Sequence, residues 1–356
     1  MPPDNRNQPI KITLDDLANI QTAPAAPPVP MAEAGTAQAR VYGKVGDSVE
    51  TETQTAEEKG SIFLQAWFYL GLAGLLGAFL GWAICEHSFV DGFTVGRHWG
   101  NFVLIPAVIT LECVGFAVAE SIVERSARKA LIRGLLALPL GIVLAWAFDA
   151  GAEIIFRLGI NIIASAGVVS WHNPSFWVVR GLAWVVIGAA GGVVYGIVGQ
   201  SSKQIAYGAL GGALGAMVGG LLFDPIAILT HGGATSRAVG FSLLGMATGI
   251  AIGLVESALK DRWLYVTAGP LAGKQFILYK PRTVIGSDQH SDIYLFKDSN
   301  IQPQHAVIEI AGARVQIRAM GNVFVAGVPT KLHVLQSGNP LQIGRYAFRY
   351  QERQRK

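Results

Sequence analysis

Six long apolar segments limit what this chain can fold into. They cover approximately residues 62–85, 102–121, 135–156, 177–199, 206–229 and 237–259. Each has roughly the 20 residues that an α-helix needs to cross the hydrocarbon core of a bilayer. Hydrophobic residues make up 51% of the sequence and charged residues only 15%, which is typical of a protein with a large membrane-embedded part. The sequence therefore predicts a polytopic α-helical membrane domain of six spans over residues 61–260.

The basic residues between these segments indicate how the chain is oriented. Loop 122–134 contains four basic residues, and Lys203, Lys260 and Arg262 fall on the same side of the predicted spans. Lys and Arg accumulate in the cytoplasmic loops of membrane proteins. Because the number of spans is even, both termini are expected in the cytoplasm.

Residues 1–60 differ in composition from the rest of the chain. They are rich in Pro, Ala, Thr and acidic residues and show no sustained apolar period. A segment of this composition buries too little apolar surface to offset the loss of chain entropy on folding. We therefore expect a disordered cytoplasmic tail.

Glycine recurs in the apolar segments at a spacing that predicts internal repeats. The aligned glycines of the odd-numbered segments are Gly74, Gly77 and Gly81 with Gly212, Gly215 and Gly219. Those of the even-numbered segments are Gly188, Gly192 and Gly196 with Gly245, Gly249 and Gly253. Glycine at every third or fourth residue lets two helix backbones approach closely in lipid. The sequence therefore predicts three two-helix repeats in parallel orientation, packed as a glycine-zipper bundle.

Acidic residues end the odd-numbered segments. These are Glu86, Asp149 and Asp224. One interpretation is an acidic ring at the mouth of a pore, because carboxylates at membrane depth mark ion paths. The other is a salt bridge that closes each hairpin, Asp149 with Arg180 and Asp224 with Arg237.

Glu112 lies deeper in its apolar segment than these three acids. It is the candidate for a functional intramembrane carboxylate, the alternative being a paired structural role. The two cysteines, Cys85 and Cys113, show neither metal-ligand nor disulfide spacing. The sequence therefore predicts no metal site and no cofactor.

From about residue 262 the pattern changes to short alternating segments separated by turn residues. Examples are "WLYVTAGP", "AVIEIAG", "RVQIRAM" and "LQIGRYAFRYQE". Period-two alternation of this kind is typical of β-strands, and many short strands in succession favour a sandwich. We therefore expect an all-β sandwich over residues 262–352.

Several motifs in this region resemble those of the forkhead-associated (FHA) domain. In chain order they are "AGPLAGKQFIL", Gly286 in "IGS", Asp292, His305 in "QPQHA", Gly327 in "GNVFVAG", and "LQSGNPLQIG". The resemblance implies a sandwich whose loops bind phosphothreonine peptides. It also implies that Gly286, Asp292, His305 and Gly327 hold the loops in place.

The residues that contact phosphate in the family are replaced here. Ser287 stands where the family has an arginine, and Gln302 where it has a serine. Gly321 falls on the family's asparagine, with Asn322 one place along. Because arginine supplies the strong, charge-assisted part of phosphate recognition, its loss favours phosphate-independent binding of a protein partner. The candidate partner-binding residues are Ser287, Gln302, Gln304 and Asn322; phosphothreonine recognition and a purely structural domain stay open.

A candidate ligand for the domain also occurs within the chain. Segment 48–60 presents Thr51, Thr53 and Thr55 in an acidic context, on the side of the membrane expected for the sandwich. A phosphorylated threonine there would be captured at a high effective concentration. The alternative is a solvated acidic linker.

These observations predict an adaptor or scaffold in a bacterial inner membrane, the bacterial source being inferred from the combination of domains. The six spans would anchor a degenerate FHA domain that binds a cytoplasmic protein. The alternatives are a channel or transporter regulated by the FHA domain, and a true phosphothreonine receptor. The sequence shows no phosphate loop, metal cluster or activated nucleophile, so we do not expect an enzyme. A net charge of +4 gives no reason to expect nucleic-acid binding, whereas exposed glycine grooves would permit homo-oligomers.

Overall fold

The computed structural model describes residues 61–90, 98–167, 170 and 172–353. All described residues belong to one compact unit of the chain. The predicted tail of residues 1–60, with Thr51, Thr53 and Thr55, lies outside the described residues. Its predicted disorder and its predicted role as a ligand stay predictions.

Six α-helices fill the first part of the described chain. They are α1 Ala66–Glu86, α2 Trp99–Val123, α3 Ala127–Ser165, α4 Pro174–Val198, α5 Ser202–Leu229 and α6 Gly233–Leu259, preceded by a 3-10 turn at Ile62–Leu64. All six are long and apolar enough to cross a membrane. The predicted six-helix part is therefore confirmed.

One helix, α3, is much longer than the apolar segment that predicted it. It has 39 residues, because both the basic residues before the segment and the residues that follow it are helical. Its start is fixed by Ser126, whose hydroxyl accepts a hydrogen bond from Lys129 N at 3.3 Å. This is the usual way in which a serine satisfies the free N–H groups of a first helical turn.

The helices pack as a closed ring in chain order. Each helix contacts the next one along the chain, and α6 returns to contact α1. In addition, α2 contacts α4 across the ring. The three predicted hairpins therefore close around a common centre, which α2 partly fills.

Aligned glycines make equivalent contacts in two of the ring's interfaces. A Cβ atom at Gly74 of α1 would lie 2.0 Å from the carbonyl oxygen of Gly245 in α6. At Gly188 of α4 it would lie 2.1 Å from the carbonyl oxygen of Gly212 in α5. The third equivalent interface, between α2 and α3, is looser, since a Cβ at Gly141 would lie 3.2 Å from the Cβ of Cys113. The repeat is thus tight at two interfaces and relaxed at the third.

The second part of the chain is a sandwich of eleven strands. They are β1 Arg262–Ala268, β2 Gln275–Ile277, β3 Arg282–Gly286, β4 Ile293–Tyr294, β5 Ala306–Ala311, β6 Arg314–Ala319, β7 Val323–Val325, β8 Val328–Pro329, β9 Leu332–Val334, β10 Pro340–Ile343 and β11 Tyr346–Glu352. One sheet has the order β2-β1-β11-β10-β7-β8 and the other β4-β3-β5-β6-β9. Only alternate residues of each strand face the other sheet, and fully buried side chains such as Leu264, Ile285 and Ile343 fill the space between. The predicted all-β sandwich is confirmed.

The connection between bundle and sandwich is short. Strand β1 begins at Arg262, so only Lys260 and Asp261 separate it from the end of α6. Asp261 is held from two directions, because Lys203 Nζ lies 2.7 Å from its Oδ2 and Arg353 N donates to its carbonyl oxygen at 2.8 Å.

Candidate functional site

The predicted partner-binding residues lie on three loops at one end of the sandwich. Ser287 follows β3, Gln302 and Gln304 lie between β4 and β5, and Asn322 lies between β6 and β7. The first two loops meet directly, since Ser287 N donates to the Gln302 carbonyl oxygen at 3.0 Å.

His305 joins these loops from beneath. Its ring is buried, and its Nδ1 accepts a hydrogen bond from Gln302 N at 3.1 Å. The proton is then on Nε2, which donates to the Asn322 carbonyl oxygen at 3.0 Å. One side chain therefore sets the positions of both Gln302 and Asn322.

Ser287 is turned inward rather than toward a ligand. Its hydroxyl donates to the carbonyl oxygen of Ile301 at 2.7 Å, and the residue is only half-exposed. The hydroxyl thus satisfies the backbone of the neighbouring loop. It supplies neither the charge nor the two-pronged geometry that an arginine brings to a phosphate.

Gly321 lies so close to His305 that no side chain fits there. A Cβ atom at position 321 would lie 2.3 Å from His305 Cε1. The asparagine of this loop is therefore at position 322, where it is exposed.

Three other framework residues have structural contacts. A Cβ at Gly286 would lie 1.9 Å from the Pro303 carbonyl oxygen, so only glycine allows this approach of two backbones. Asp292 accepts a hydrogen bond from Val284 N at 2.9 Å and pairs with Lys280 Nζ at 2.9 Å. Gly327, at φ +77°, completes the two-residue turn between β7 and β8, which needs positive φ angles.

A groove of about 400 Å³ lies over this end of the sandwich. Of the four predicted residues, Gln302 and Asn322 line it, whereas Gln304 is exposed outside it. Lys331 is the one Lys or Arg among the described residues of the lining. The groove therefore offers amides and a single cation.

Sequence reasoning missed Lys331, Met320 and Asn300 as lining residues of this groove. Met320 is 47% exposed, an unusual position for a large apolar side chain in a small sandwich. None of the three belongs to an FHA-like motif, so the only available signal was their place in the loops.

The predicted salt bridges of the membrane acids are wrong in their partners. Arg180 Nε lies 2.9 Å from Asp224 Oδ2, and Arg237 Nε lies 3.1 Å from Glu86 Oε2. The expected pairs were Asp149 with Arg180 and Asp224 with Arg237. The reason is that α4 packs tightly on α5, and α6 on α1, through their glycines. Arg180 of α4 therefore lies beside α5 instead of its hairpin partner α3, and Arg237 of α6 lies beside α1 instead of its hairpin partner α5. Asp149 is half-exposed and has no ion-pair partner among the described residues.

Glu112 is buried within α2, with 3% of its surface exposed. Its Oε1 has no hydrogen-bond partner among the described residues. A buried carboxyl oxygen without a partner is costly, and inside a membrane it marks a candidate functional position.

Buried ion pairs attach the sandwich to one end of the bundle, here called the junction. Lys274, directly before β2, is 1% exposed, and its Nζ lies 2.7 Å from Glu124 Oε1 at the end of α2. Glu124 Oε2 pairs with Lys129 Nζ of α3 at 3.2 Å. The same Lys129 Nζ donates to the Asp292 carbonyl oxygen at 3.2 Å, so the loop after β3 is held against α3.

A second contact of the junction is made by hydroxyl groups. Tyr279 of the sandwich donates to Glu256 Oε1 at 2.8 Å, and Tyr195 of α4 donates to Glu256 Oε2 at 3.2 Å. Burial, together with the adjacent Glu256, raises the pKa of Tyr279 far above its ordinary value. Its hydroxyl therefore stays a hydrogen-bond donor at physiological pH.

Between these two contacts the junction contains a half-open cavity of about 360 Å³. Its walls are the ends of the helices on one side, and β2 with the β3–β4 loop on the other. The sequence patterns did not predict the junction, because a lysine or tyrosine in an alternating strand is equally compatible with an exposed sheet face.

A family model matches the sandwich. Residues 265–354 match the family model described as "Inner membrane component of T3SS, cytoplasmic domain". An oxoglutarate dehydrogenase inhibitor of Corynebacterium efficiens is 34% identical over 86 residues, or 23% of this chain and 60% of that protein. The glycogen accumulation regulator GarA of Mycolicibacterium smegmatis is 34% identical over 86 residues, or 23% of this chain and 54% of that protein. This chain thus spans little more than half the length of these relatives.

Two solved structures are similar to part of this chain. The FHA domain of a Chlamydia trachomatis protein is 28% identical and covers 27% of this chain and 100% of that chain, with a TM-score of 0.25. The cytoplasmic domain of the T3SS sorting platform protein PscD from P. aeruginosa is 23% identical and covers 27% and 83%, with a TM-score of 0.24. The C-terminal part of this chain is an FHA-like domain, joined to six helices that are long and apolar enough to cross a membrane.

Proposed function

We propose that this chain is an inner-membrane adaptor that holds its FHA-like domain at the cytoplasmic surface and binds a protein partner without recognising phosphate. The observation that carries the proposal is the amide-lined groove at the loop end of the sandwich. It presents Gln302 and Asn322 to solvent, with Lys331 as the single Lys or Arg among its described lining. Neutral amides bind backbone and side-chain groups of a peptide well, but they do not compensate the double charge of a phosphothreonine.

The junction supports the same conclusion. Gln289, Ser291 and Asp292 belong to the loop that carries the phosphate-binding arginine in FHA domains, and here they line the junction cavity. Because Lys129 also bonds the Asp292 carbonyl oxygen, this loop is engaged by the bundle. The surface left for a partner is formed by the other two loops.

Binding to peptides tests the phosphate-independence. The full-length protein in nanodiscs would be titrated by fluorescence polarisation against peptide 46–60, unmodified or phosphorylated at Thr51, Thr53 or Thr55, and against a degenerate phosphothreonine library. We expect no binding that requires the phosphate. Micromolar binding that does require it would show a phosphothreonine receptor instead.

Photo-crosslinking in intact membranes tests the groove itself. A photoreactive amino acid at position 302 is expected to give discrete protein adducts. The same residue at position 336, an exposed glutamine in the loop before β10, is the matched control and is expected to give none. Equal adducts at both positions would contradict a specific groove.

The proposal includes the orientation of the chain and its division into a tail (residues 1–60), a six-span domain (61–260) and a sandwich (262–352). Two single-cysteine variants, Ser299→Cys in the sandwich and His231→Cys between α5 and α6, report the two ends of the bundle. Both positions are exposed. The native cysteines, Cys85 and Cys113, are buried and give a low background. An impermeant thiol reagent added to intact cells should label position 231 and spare position 299; the reverse would invert the orientation.

A regulated channel or transporter is a second candidate, favoured by one observation. Glu112 is a buried carboxyl group with an unpartnered oxygen inside the helix ring. If it belongs to an ion path, proteoliposomes of the unmodified protein will show flux that Glu112→Gln reduces. No flux from the unmodified protein would remove this candidate.

A further inference from the structure

We propose that the junction cavity binds the headgroup of a membrane phospholipid that carries both a phosphate and a protonated primary amine. This lipid site goes beyond the adaptor function, because it needs no protein partner and lies at the junction, whereas the proposed partner site is the groove at the loop end of the sandwich. It rests on the size of the cavity, the position of its mouth, the charges of its walls and one unpartnered acceptor.

The size of the cavity fits a small polar group. Its volume of about 360 Å³ falls at the lower end of the range of roughly 300–1,000 Å³ that is usual for small-molecule sites. A phosphoethanolamine group with part of its glycerol is a ligand of this class.

The mouth of the cavity lies on the lipid-facing side of α3. Ile132 and Leu136 line the cavity and are also 43% and 51% exposed on the outer surface of the bundle. Helix α3 is the least buried of the six spans. Because Leu136 lies one turn further along α3 from the junction than Ile132, acyl chains would lie along this face while the headgroup enters at its end.

The walls of the cavity carry both basic and acidic groups. The basic lining residues are Lys129, Arg133 and Lys280, and the acidic ones are Glu120, Glu256 and Asp292, with His290 beside them. The three basic groups are already paired, because Arg133 Nη1 lies 3.0 Å from Glu120 Oε2, Lys280 Nζ lies 2.9 Å from Asp292 Oδ1, and Lys129 Nζ lies 3.2 Å from Glu124 Oε2. The negative charge of an anionic ligand would not be compensated in such a site. A zwitterionic ligand fits better, because its phosphate can contact the basic groups while its ammonium contacts the acidic ones. Arg133 in particular keeps N–H donors that this pair does not use.

One acceptor in the wall lacks a donor. Gln289 lines the cavity, but its Oε1 has almost no accessible surface and no hydrogen-bond partner among the described residues, so the side chain has to turn for this oxygen to meet a ligand. A primary ammonium supplies N–H donors to such an oxygen, whereas the quaternary ammonium of choline has none. The site should therefore distinguish two headgroups of identical net charge.

Native mass spectrometry of the full-length protein tests this. The protein would be delipidated, placed in nanodiscs with equal amounts of phosphatidylethanolamine, phosphatidylcholine and phosphatidylglycerol, and released in mild detergent. We expect one phosphatidylethanolamine to be retained per chain, in about tenfold or greater excess over phosphatidylcholine, the ratio typical of a hydrogen bond to a charged donor. Equal retention of the three lipids, or a preference for phosphatidylglycerol, would overturn the proposal.

Two variants and one control separate the site from general lipid contact. Gln289→Leu removes an acceptor that holds no protein partner, and is expected to lower the preference over phosphatidylcholine about tenfold. Ile132→Trp, on an exposed position, narrows the mouth and should reduce retention of the lipid itself. Arg157→Gln, at an exposed position toward the far end of α3, should change neither. Unchanged preference in Gln289→Leu with unchanged retention in Ile132→Trp contradicts the site.

A soluble headgroup identifies the source of the ligand. Glycerophosphoethanolamine without acyl chains is expected to displace the retained lipid only at a large molar excess, because it lacks the contact with the outer face of α3. Displacement at equal concentration would assign the cavity to a soluble phosphate compound and overturn the assignment to a lipid.

Discussion

His305 shows how single residues shape the loop end of the sandwich. Its buried ring bonds Gln302 N on one side and the Asn322 carbonyl oxygen on the other. Because the ring fills the space beneath Gly321, the loop between β6 and β7 presents its amide from the next position. The groove thus follows from packing below the surface as much as from the exposed residues.

Gly321→Asn is expected to destabilise the domain, although it places an FHA-typical residue at that position. The new Cβ would lie 2.3 Å from His305 Cε1, so the ring or the loop has to move. Overpacking of this kind costs about 1–3 kcal/mol of unfolding free energy. Denaturant unfolding of the full-length protein measures it, with Asn322→Ala as an exposed control expected to change stability by less than about 0.5 kcal/mol. An unchanged free energy of unfolding would show that the His305 ring moves aside without cost.

Asp298 makes the stability of the sandwich depend on pH in the acid range. Its carboxylate accepts hydrogen bonds from Arg345 N and Asn300 N, both at 2.9 Å, and these bonds lower its pKa below the usual 3.8. A carboxylate with a lowered pKa stabilises the fold above its unfolded pKa, and this contribution is lost as the pH falls through the folded pKa. Asp298→Asn should therefore lower the unfolding midpoint at pH 7 and have less effect below pH 3.8. A difference that is constant with pH would contradict this role.

At the level of secondary-structure elements, the helix ring depends on backbone contact. In the α4–α5 interface a Cβ at Gly192 would lie 1.9 Å from the Gly208 carbonyl oxygen. In the α1–α6 interface a Cβ at Gly249 would lie 2.1 Å from the Leu70 carbonyl oxygen. Neither interface has room for a methyl group, so the two helices of each pair are held at a fixed separation.

Gly192→Ala should weaken the ring, whereas Gly151→Ala should not. The methyl group at position 192 meets backbone, which cannot rotate away, and overpacking costs roughly 1–3 kcal/mol. At position 151 the nearest atom, Val186 Cγ1, would be at an ordinary 3.5 Å. Thermal unfolding in detergent compares the two variants. Equal midpoints would show that the α4–α5 contact is not tight in solution.

The glycine pattern predicted these elements well, because close packing in lipid leaves a direct trace in the sequence. It aligned Gly188 with Gly245 and Gly74 with Gly212, and both pairs occupy equivalent contacts. It did not predict the partners of Arg180 and Arg237, since a repeat makes positions equivalent without saying which of two adjacent helices each one faces. The bounds of α3 were also missed, because charged residues near a membrane surface fit a loop and a helix equally well.

For the whole molecule, the decisive contact is the junction between two folds of different chemistry. Lys274 and Glu124 are almost fully buried there, and no motif in either segment predicted that they meet. The two residues are far apart in the sequence, and neither belongs to a repeated pattern. Neither periodicity nor spacing could therefore predict that they form a pair. The same is true of Tyr279 and Glu256.

Lys274→Met should loosen the sandwich from the bundle. Removing one partner of a buried ion pair typically costs 3–5 kcal/mol, and about 3 kcal/mol is expected here because Glu124 keeps Lys129. Hydrogen exchange of β2 in the full-length protein reports the loosening, and adding Glu124→Gln should restore part of the protection. The control is Lys203→Met, whose pair with Asp261 is about half-exposed and is worth about 0–1 kcal/mol. Equal effects of both lysine variants would mean that the junction does not hold the domain.

The two-residue connection between α6 and β1 limits how far the FHA-like domain can move away from the helix bundle. Two residues reach at most about 7–10 Å including their flanking bonds, whereas a flexible linker of 30 residues would have an average extension of about 30 Å. In the proposed orientation, the groove therefore stays at one height above the membrane surface. A protein partner of the proposed kind would have to diffuse to the membrane to meet the groove, and once bound it would move only in two dimensions. Neighbouring copies would thus carry their partners in a single layer.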